Sequence, residues 1–251
     1  MTGPGRTITV HAQRTYPRPA LPGPPRPQPQ SQSQSQPQSR LPAAVADLRG
    51  LATVHDLRFP VGDLLVVSGL PGSGKSTLIR RAVPGMDARG GIVWRVDSQD
   101  ARDRWAGRMP AYVPYGLYRP LVRLSHYTGL RRALQSGASV VVHDCGTLAW
   151  VRHWLAREAR RRGVALRLLL MDVPAADALA GQARRGRRVS AYAFARHRRA
   201  VARLVSALES GRLPAGTTSA ILLDRPAADA LRAIRFGRAV ERVPRPRADG
   251  L

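Results

Sequence analysis

Residues Ser68 to Thr77 read SGLPGSGKST, a glycine-rich turn set between an apolar run and a helix-forming segment. The run before it, DLLVVSG (63–69), is apolar almost throughout, as a strand covered on both faces must be. The segment after it, KSTLIRRAV (75–83), has helical composition until Pro84 stops it. Gly69, Leu70, Pro71, Gly72, Ser73, Gly74, Lys75 and Ser76 fit the pattern G-x-x-x-x-G-K-[ST]. Its glycines let the main chain curl, so that successive N–H groups face phosphate oxygens, and the following helix adds the partial positive charge of its N-terminus. A strand that ends in this turn and a helix that begins inside it confine the chain to an α/β fold.

Lys75 is the only lysine in a chain with 41 lysines and arginines together. Arginine is a planar fork, whereas an ammonium is a compact charge on a thin stem. Only the ammonium threads into so tight a loop to meet β- and γ-phosphates. Ser76 is the expected Mg²⁺ ligand, and Thr77 either contacts an α-phosphate or is a first-turn helix residue without a ligand.

Further apolar runs follow: GIVWRVD (91–97), SVVVHD (139–144), VALRLLLMD (164–172) and SAILLD (219–224). Helix-like segments lie between and after them at 119–137, 148–163, 174–186, 190–209 and 227–236. Leu121, Val122, Leu124, Leu130 and Leu134 fall near one side of the first, and Trp150, Trp154 and Leu155 are expected core packing in the second. Apolar strands alternating with helices predict βαβ units: an open parallel sheet with helices on both faces.

Residues 1–45 are rich in Pro, Gln and Ser and hold almost no branched apolar residues, so they are expected to be a disordered arm. Residues 236–251 are expected to form a flexible basic tail, which leaves 46–235 as the single folded domain. The net charge is +25, of which +18 falls on that domain. Such a field attracts nucleic acid or other polyanions. An Arg-rich proteome would give the same charge with no such partner. Cys145 is the single cysteine, so no intrachain disulfide forms. No signal-like or membrane-length apolar run is present, which points to a soluble cytoplasmic chain without a membrane partner.

Asp144 ends the most apolar strand and is the expected second Mg²⁺ ligand; capping the next helix is the alternative. Asp172 ends the following strand, where helix capping is the expected role. Asp97 closes VDSQDARDR's strand edge and can take a proton from an acceptor hydroxyl, with Asp100 as second choice. Asp97, Asp100 and Asp103 also suit plain helix N-terminal charges. Arg102 can orient the acceptor. Arg184, Arg185, Arg187 and Arg188 in ARRGRRVS (183–190) lie where an arginine lid closing over the γ-phosphate would be, with Arg184 and Arg188 the chosen candidates. Tyr112, Tyr115, Tyr118 and Arg119 can stack on a base or sugar, or cover a core edge. His126, His143, His153 and His197 show no metal-ligand spacing.

The glycine loop, Asp97 with Arg102, Asp144 and the arginine-rich lid together resemble P-loop kinases of the polynucleotide-kinase and zeta-toxin type, often called AAA family ATPases. The resemblance covers about residues 62–235. It implies a P-loop NTPase fold with a five-stranded parallel sheet in order 2-3-1-4-5, ATP and Mg²⁺ as cofactors, and phosphorylation of a hydroxyl on a small-molecule or nucleotide-like acceptor. The chain departs from the family at HDCG (143–146), where those kinases carry Asp followed by a Thr-Asn pair. Two other readings stay open: an ATP-hydrolysing switch coupled to a protein or nucleic-acid partner, and a basic nucleic-acid-binding module with a vestigial ATP site.

Overall fold

A computed structural model describes residues 6–9, 44–51, 54–110, 112–144, 149–184 and 189–237. Three strands open the chain: β1 (Arg6–Thr9), β2 (Val45–Asp47) and β3 (Val54–Pro60). Then come β4 (Leu64–Gly69), α1 (Lys75–Ala82), β5 (Val93–Val96), α2 (Ser98–Ala106), α3 (Tyr115–Gln135), β6 (Ser139–His143) and α4 (Ala149–Arg162). The remainder is β7 (Leu166–Met171), α5 (Ala175–Ala183), α6 (Ala191–Glu209), β8 (Ser219–Leu223), α7 (Arg225–Ala230) and β9 (Ala233–Gly237).

The main sheet has six parallel strands in the order β2-β8-β7-β4-β6-β5. Its five long-anticipated strands, numbered from β4, fall in the order 2-3-1-4-5 as expected. The strand number is a correction: β2 pairs with β8 and makes six. Every residue of β4 is buried, because it lies between β6 and β7 and is covered above and below. Its side chains alternate between two cores. Leu65 and Val67 pack with Leu78 and Ile79 of α1, while Leu64 and Val66 pack with Leu130, Leu134 and Leu155 of α3 and α4. Burial of this kind stabilises at roughly 25 cal/mol per Å² of apolar surface.

A second, three-stranded sheet in order β1-β3-β9 differs from the sequence reading in three places. Residues 227–236 do not form one helix: α7 ends at Ala230, and β9 follows. Ile234 and Phe236 alternate with exposed Arg235, so burial follows the strand period and Phe59 meets Phe236. β3 was not anticipated, although Leu57 and Phe59 alternate inward in it. Residues 6–9, counted within the arm, form β1 on the outer edge of β3. Thr7, Ile8 and Thr9 are β-branched, and an open strand edge accepts such a segment. The remainder of residues 1–43, and the tail beyond Gly237, lie outside the described residues.

Two apolar expectations also change. On α3, Val122, Leu130 and Leu134 are buried, but Leu121 and Leu124 face solvent, because only one side of this helix meets the sheet. Trp150 is 52% exposed and lies on Tyr127 at 4.9 Å, while Leu155 alone of its trio is fully buried. Asp172 is not the cap of α5. Its carboxylate accepts from Arg49 Nη1 at 2.8 Å, and the N-cap of α5 is Pro174.

Candidate nucleotide site

The site lies at the C-terminal edge of the main sheet, where β4 runs into the glycine loop and α1 begins. Gly72 and Gly74 take left-handed backbone at φ 89° and 99°, which side-chain-bearing residues rarely adopt. A Cβ on Gly72 would strike the Ala178 carbonyl of α5, and one on Gly74 would meet Arg225 Nη1 at 2.7 Å. The loop is therefore pressed between α5 and the start of α7. Gly181 reciprocates, since a Cβ there would strike the Gly72 carbonyl.

Lys75 is 2% exposed. Its ammonium turns back into the loop and donates to the Gly69 carbonyl at 2.9 Å and the Leu70 carbonyl at 2.7 Å, with Ser73 Oγ at 3.5 Å. A thin-stemmed cation is what fits between these two carbonyls. Leu70, Ser73 and Gly74 are buried, Pro71 and Ser76 are half-buried, and Thr77 is exposed on the first turn of α1.

Asp144 follows β6 directly. Its N–H donates to the Val67 carbonyl at 2.9 Å, which places it beside the strand that enters the loop. Its carboxylate is buried, Oδ2 accepts no hydrogen bond among the described residues, and Arg152 Nη1 stands 3.6 Å away. A buried carboxylate oxygen left without a donor costs energy unless a cation completes it. A carboxylate oxygen is a donor of the kind Mg²⁺ takes, so Asp144 fits that cation by its chemistry.

Asp97 stands at the end of β5, next to β6 in the sheet, with Val96 in register with Val142. It is the N-cap of α2 and accepts from Gln99 N–H at 2.9 Å. Its Oδ1 also lies 3.0 Å from His143 Nδ1, a close polar contact off the line of a well-formed hydrogen bond. Ser76 also favours the ionised form of the same carboxylate. Burial alone would push the Asp97 carboxyl up, but His143, Ser76 and the Gln99 N–H outweigh it and hold the group well below the usual carboxylate range. Partial desolvation, then the neighbouring Asp97 charge, push Asp100 the other way.

His126 is half-buried nearby, and burial depresses its imidazole, opposed by Asp97 and reinforced by His143. Arg102 lies exposed on α2 with its guanidinium 4.2 Å above the ring of Tyr115, which meets Tyr118 edge-on at 5.3 Å. Tyr112 is 85% exposed and Arg119 also faces solvent. Arg102 and two of the tyrosines thus form one contiguous group between α2 and α3. Arg184 ends α5 and is exposed. Arg185, Arg187, Arg188 and Cys145 lie outside the described residues.

Three residues join the site that the sequence reading left out. His143 has no metal-ligand spacing in the sequence, yet parallel register brings it to Asp97. Arg225 covers Gly74 from the start of α7. Gln182 bonds the loop from α5, donating to the Pro71 carbonyl at 3.0 Å. A signal existed for the first two, since His143 closes β6 and Arg225 comes two residues after β8, which places both on the loop's edge of the sheet.

A parallel sheet whose central strand ends in a lysine-filled glycine loop, with carboxylates closing the two strands beside it, defines a P-loop kinase-like protein. The chain belongs to a family described as an AAA domain, whose sequence profile matches residues 64–210. No curated protein matches it significantly. Among solved structures it resembles the PezAT toxin–antitoxin system of Streptococcus pneumoniae, at 13% identity over 68% of this chain and 76% of that one, with a TM-score of 0.44. It also resembles the Pnkp1/Rnl/Hen1 RNA repair complex, at 17% identity over 61% of this chain and 46% of that one, TM-score 0.42. A tunicamycin resistance protein of Deinococcus radiodurans matches at 12% identity over 57% and 80%, TM-score 0.36. No helix among the described residues is long and apolar enough to cross a membrane.

Proposed function

We propose that the protein is an ATP- and Mg²⁺-dependent kinase that transfers the γ-phosphate to a hydroxyl of a small-molecule or nucleotide-like acceptor in the cytoplasm. The observation that carries this reading is the Lys75 ammonium seated among the loop carbonyls, where bound phosphate oxygens would take over its attention. The loop N–H groups and Lys75 hold the phosphates, and Ser76 with Asp144 would hold Mg²⁺. When bound, that cation neutralises charge on the β- and γ-oxygens. Arg184 and Arg188 are the lid candidates for the transferring group.

The acceptor side supports the second half of the reading. Arg102, Tyr115 and Tyr118 offer a cation and flat rings, a surface on which a base or sugar ring stacks. The charge of +25 favours an anionic or nucleic-acid acceptor. The test incubates the full chain with γ-labelled ATP and Mg²⁺ across nucleosides, 5′-hydroxyl oligonucleotides, sugars and aminoglycosides. Label transfer to one pool, lost in Lys75→Met, is the expected result. Hydrolysis to water alone, indifferent to every acceptor, would move the protein to an ATP-driven switch.

A further inference from the structure

α6 buries one side and leaves the other bare. Phe194, Val201, Leu204 and Leu208 pack into the core. Turned away from them, Tyr192, Arg196, Arg199 and Arg203 are all exposed, Tyr192 at 78%. Their spacing of four, three and four residues puts them within about 60° of arc at ~3.6 residues per turn, along about 17 Å of helix. Three guanidiniums and a phenol ring therefore form one narrow ridge. Arg198 falls on another side, in a cleft beside Leu179 of α5.

Like charges three and four residues apart on a helix repel, and a carboxylate nearby normally relieves them. α6 carries none until Glu209, and Arg49 takes that one at 2.9 Å. Among the described residues Arg196, Arg199 and Arg203 form no ion pair, whereas Arg49, Arg161 and Arg167 each meet a carboxylate. A phosphate chain laid along the ridge would bring anionic oxygens to each guanidinium fork in turn. The ring of Tyr192 offers a flat face at one end, on which a base stacks when no second strand covers it. A lipid surface would ask for large apolar side chains beside the cations, as an interfacial helix has. The residues flanking this ridge are Ala195, Ala202 and Ser206 instead.

We infer that the outward face of α6 is a docking ridge for single-stranded nucleic acid, with Arg196, Arg199 and Arg203 on successive phosphates and Tyr192 stacked on a base. None of the four belongs to the nucleotide site, so this surface is a second site and does not depend on the phosphotransfer reading.

The test measures binding of the full chain to a fluorescein-labelled oligo(dT) of about 12 nucleotides by anisotropy, in NaCl from about 50 to about 300 mM. The triple variant Arg196→Gln, Arg199→Gln, Arg203→Gln replaces exposed side chains by another good helix former, and melting curves check its fold. Its affinity should fall at least about tenfold at the lowest salt. The slope of log affinity against log salt should drop by about 2, at ~0.7 per phosphate contact on a single strand. A charge-matched control on exposed arginines of α3, Arg123→Gln, Arg131→Gln, Arg132→Gln, should lose less than about threefold. Tyr192→Ala should weaken binding about tenfold with the salt slope kept, and oligo(dT) annealed to oligo(dA) should bind less tightly than the single strand. Equal losses in the two triple variants would mean that net charge alone attracts the strand, and would overturn the inference. A duplex bound as tightly as the single strand would overturn it too. Lys75→Met should hold the strand as the wild type does, so failure of either reading leaves the other standing.

Discussion

The side-chain amide of Gln182 donates to the Pro71 carbonyl at 3.0 Å, and its oxygen accepts from the Val189 N–H at 3.1 Å. One buried residue of α5 thus joins the glycine loop to Val189, beyond the arginine-rich stretch of the sequence. Gln182→Ala leaves a carbonyl and an N–H without their partner, a loss of about 1–3 kcal/mol. Nucleotide affinity should fall with it, since Pro71 lies inside the loop. Gln182→Glu keeps the acceptor for Val189 and loses the donor to Pro71, so it should weaken nucleotide binding while recovering part of the stability. Thermal melts and nucleotide titrations of the two variants separate these effects; equal behaviour of both would contradict the division of labour.

Gly72 tests how tightly α5 presses on the loop. Alanine there meets left-handed backbone, about 1–2 kcal/mol by itself, and its Cβ strikes the Ala178 carbonyl with Gln182 Cγ only 2.9 Å away. Backbone cannot yield as a flexible side chain can. Gly72→Ala should therefore lose well over the cost of strain and should abolish nucleotide binding. Gly90→Ala is the matched comparison: φ is 78° and nothing lies within 4 Å, so only the strain remains. Similar unfolding midpoints for the two variants would show that the packing of α5 on the loop is slack.

The parts legible in the sequence were those whose cause is local. β4, β6, β7 and β8 are continuous apolar runs because both of their faces are covered, and the glycine loop carries its own geometry in its residue types. β3 and β9 escaped because each is half-exposed, with charged side chains alternating into solvent, and because AIRF follows a helical segment without a break in composition. Their pairing joins residues far apart in the chain, Asp56 with Ala233 and Leu57 with Ile234, which no local pattern announces. The site divides in the same way. Lys75 and Ser76 were visible from the motif, whereas His143 reaches Asp97 only through strand register and Gln182 reaches Pro71 only through the docking of α5.

Acid should expose the anchoring of Asp97. Its carboxyl titrates below its value in the unfolded chain, about 3.9 for an unperturbed Asp, because His143, Ser76 and Gln99 together favour the ionised form. A group depressed in the folded state contributes stability that is complete above the unfolded value and is lost as pH falls through the folded one. The difference in stability between wild type and Asp97→Asn should hold constant from about pH 5 to pH 8 and shrink below about pH 4. Denaturant midpoints across that series measure it. A difference that widened in acid would reverse the sign assigned to this carboxylate.

On the opposite edge of the sheet, Arg167 and Asp63 form an ion pair at 2.5 Å with side chains 1% and 4% exposed. Burial pushes the Asp63 carboxyl up, and the Arg167 guanidinium pulls it back. Arg167 also donates to Ser219 Oγ at 2.9 Å, so the pair joins β7 to the start of β4 and of β8. Asp63→Ala strands a guanidinium in the core and should cost about 3–5 kcal/mol. Replacing both partners, Asp63→Leu with Arg167→Met, removes the stranded charge and should restore much of that loss. A double variant as unstable as Asp63→Ala would place the energy in packing instead of charge.

Lys75 separates charge from shape. Arginine preserves the positive charge, but its planar fork is wider than the space between the Gly69 and Leu70 carbonyls that the ammonium bridges at 2.9 Å and 2.7 Å. Lys75→Arg and Lys75→Met should therefore lose nucleotide affinity alike, each by more than roughly tenfold, the first through crowding and the second through lost charge. Their loop conformations should differ. Methionine leaves two buried carbonyls without a donor, while arginine forces the loop apart, so both melt early but only the arginine variant should gain susceptibility to proteolysis within residues 69–75. Calorimetry with ATP and Mg²⁺ supplies the affinities. Near-native binding by Lys75→Arg would mean that charge alone is what the loop requires, and the narrow geometry around the single lysine would have no part in selecting it.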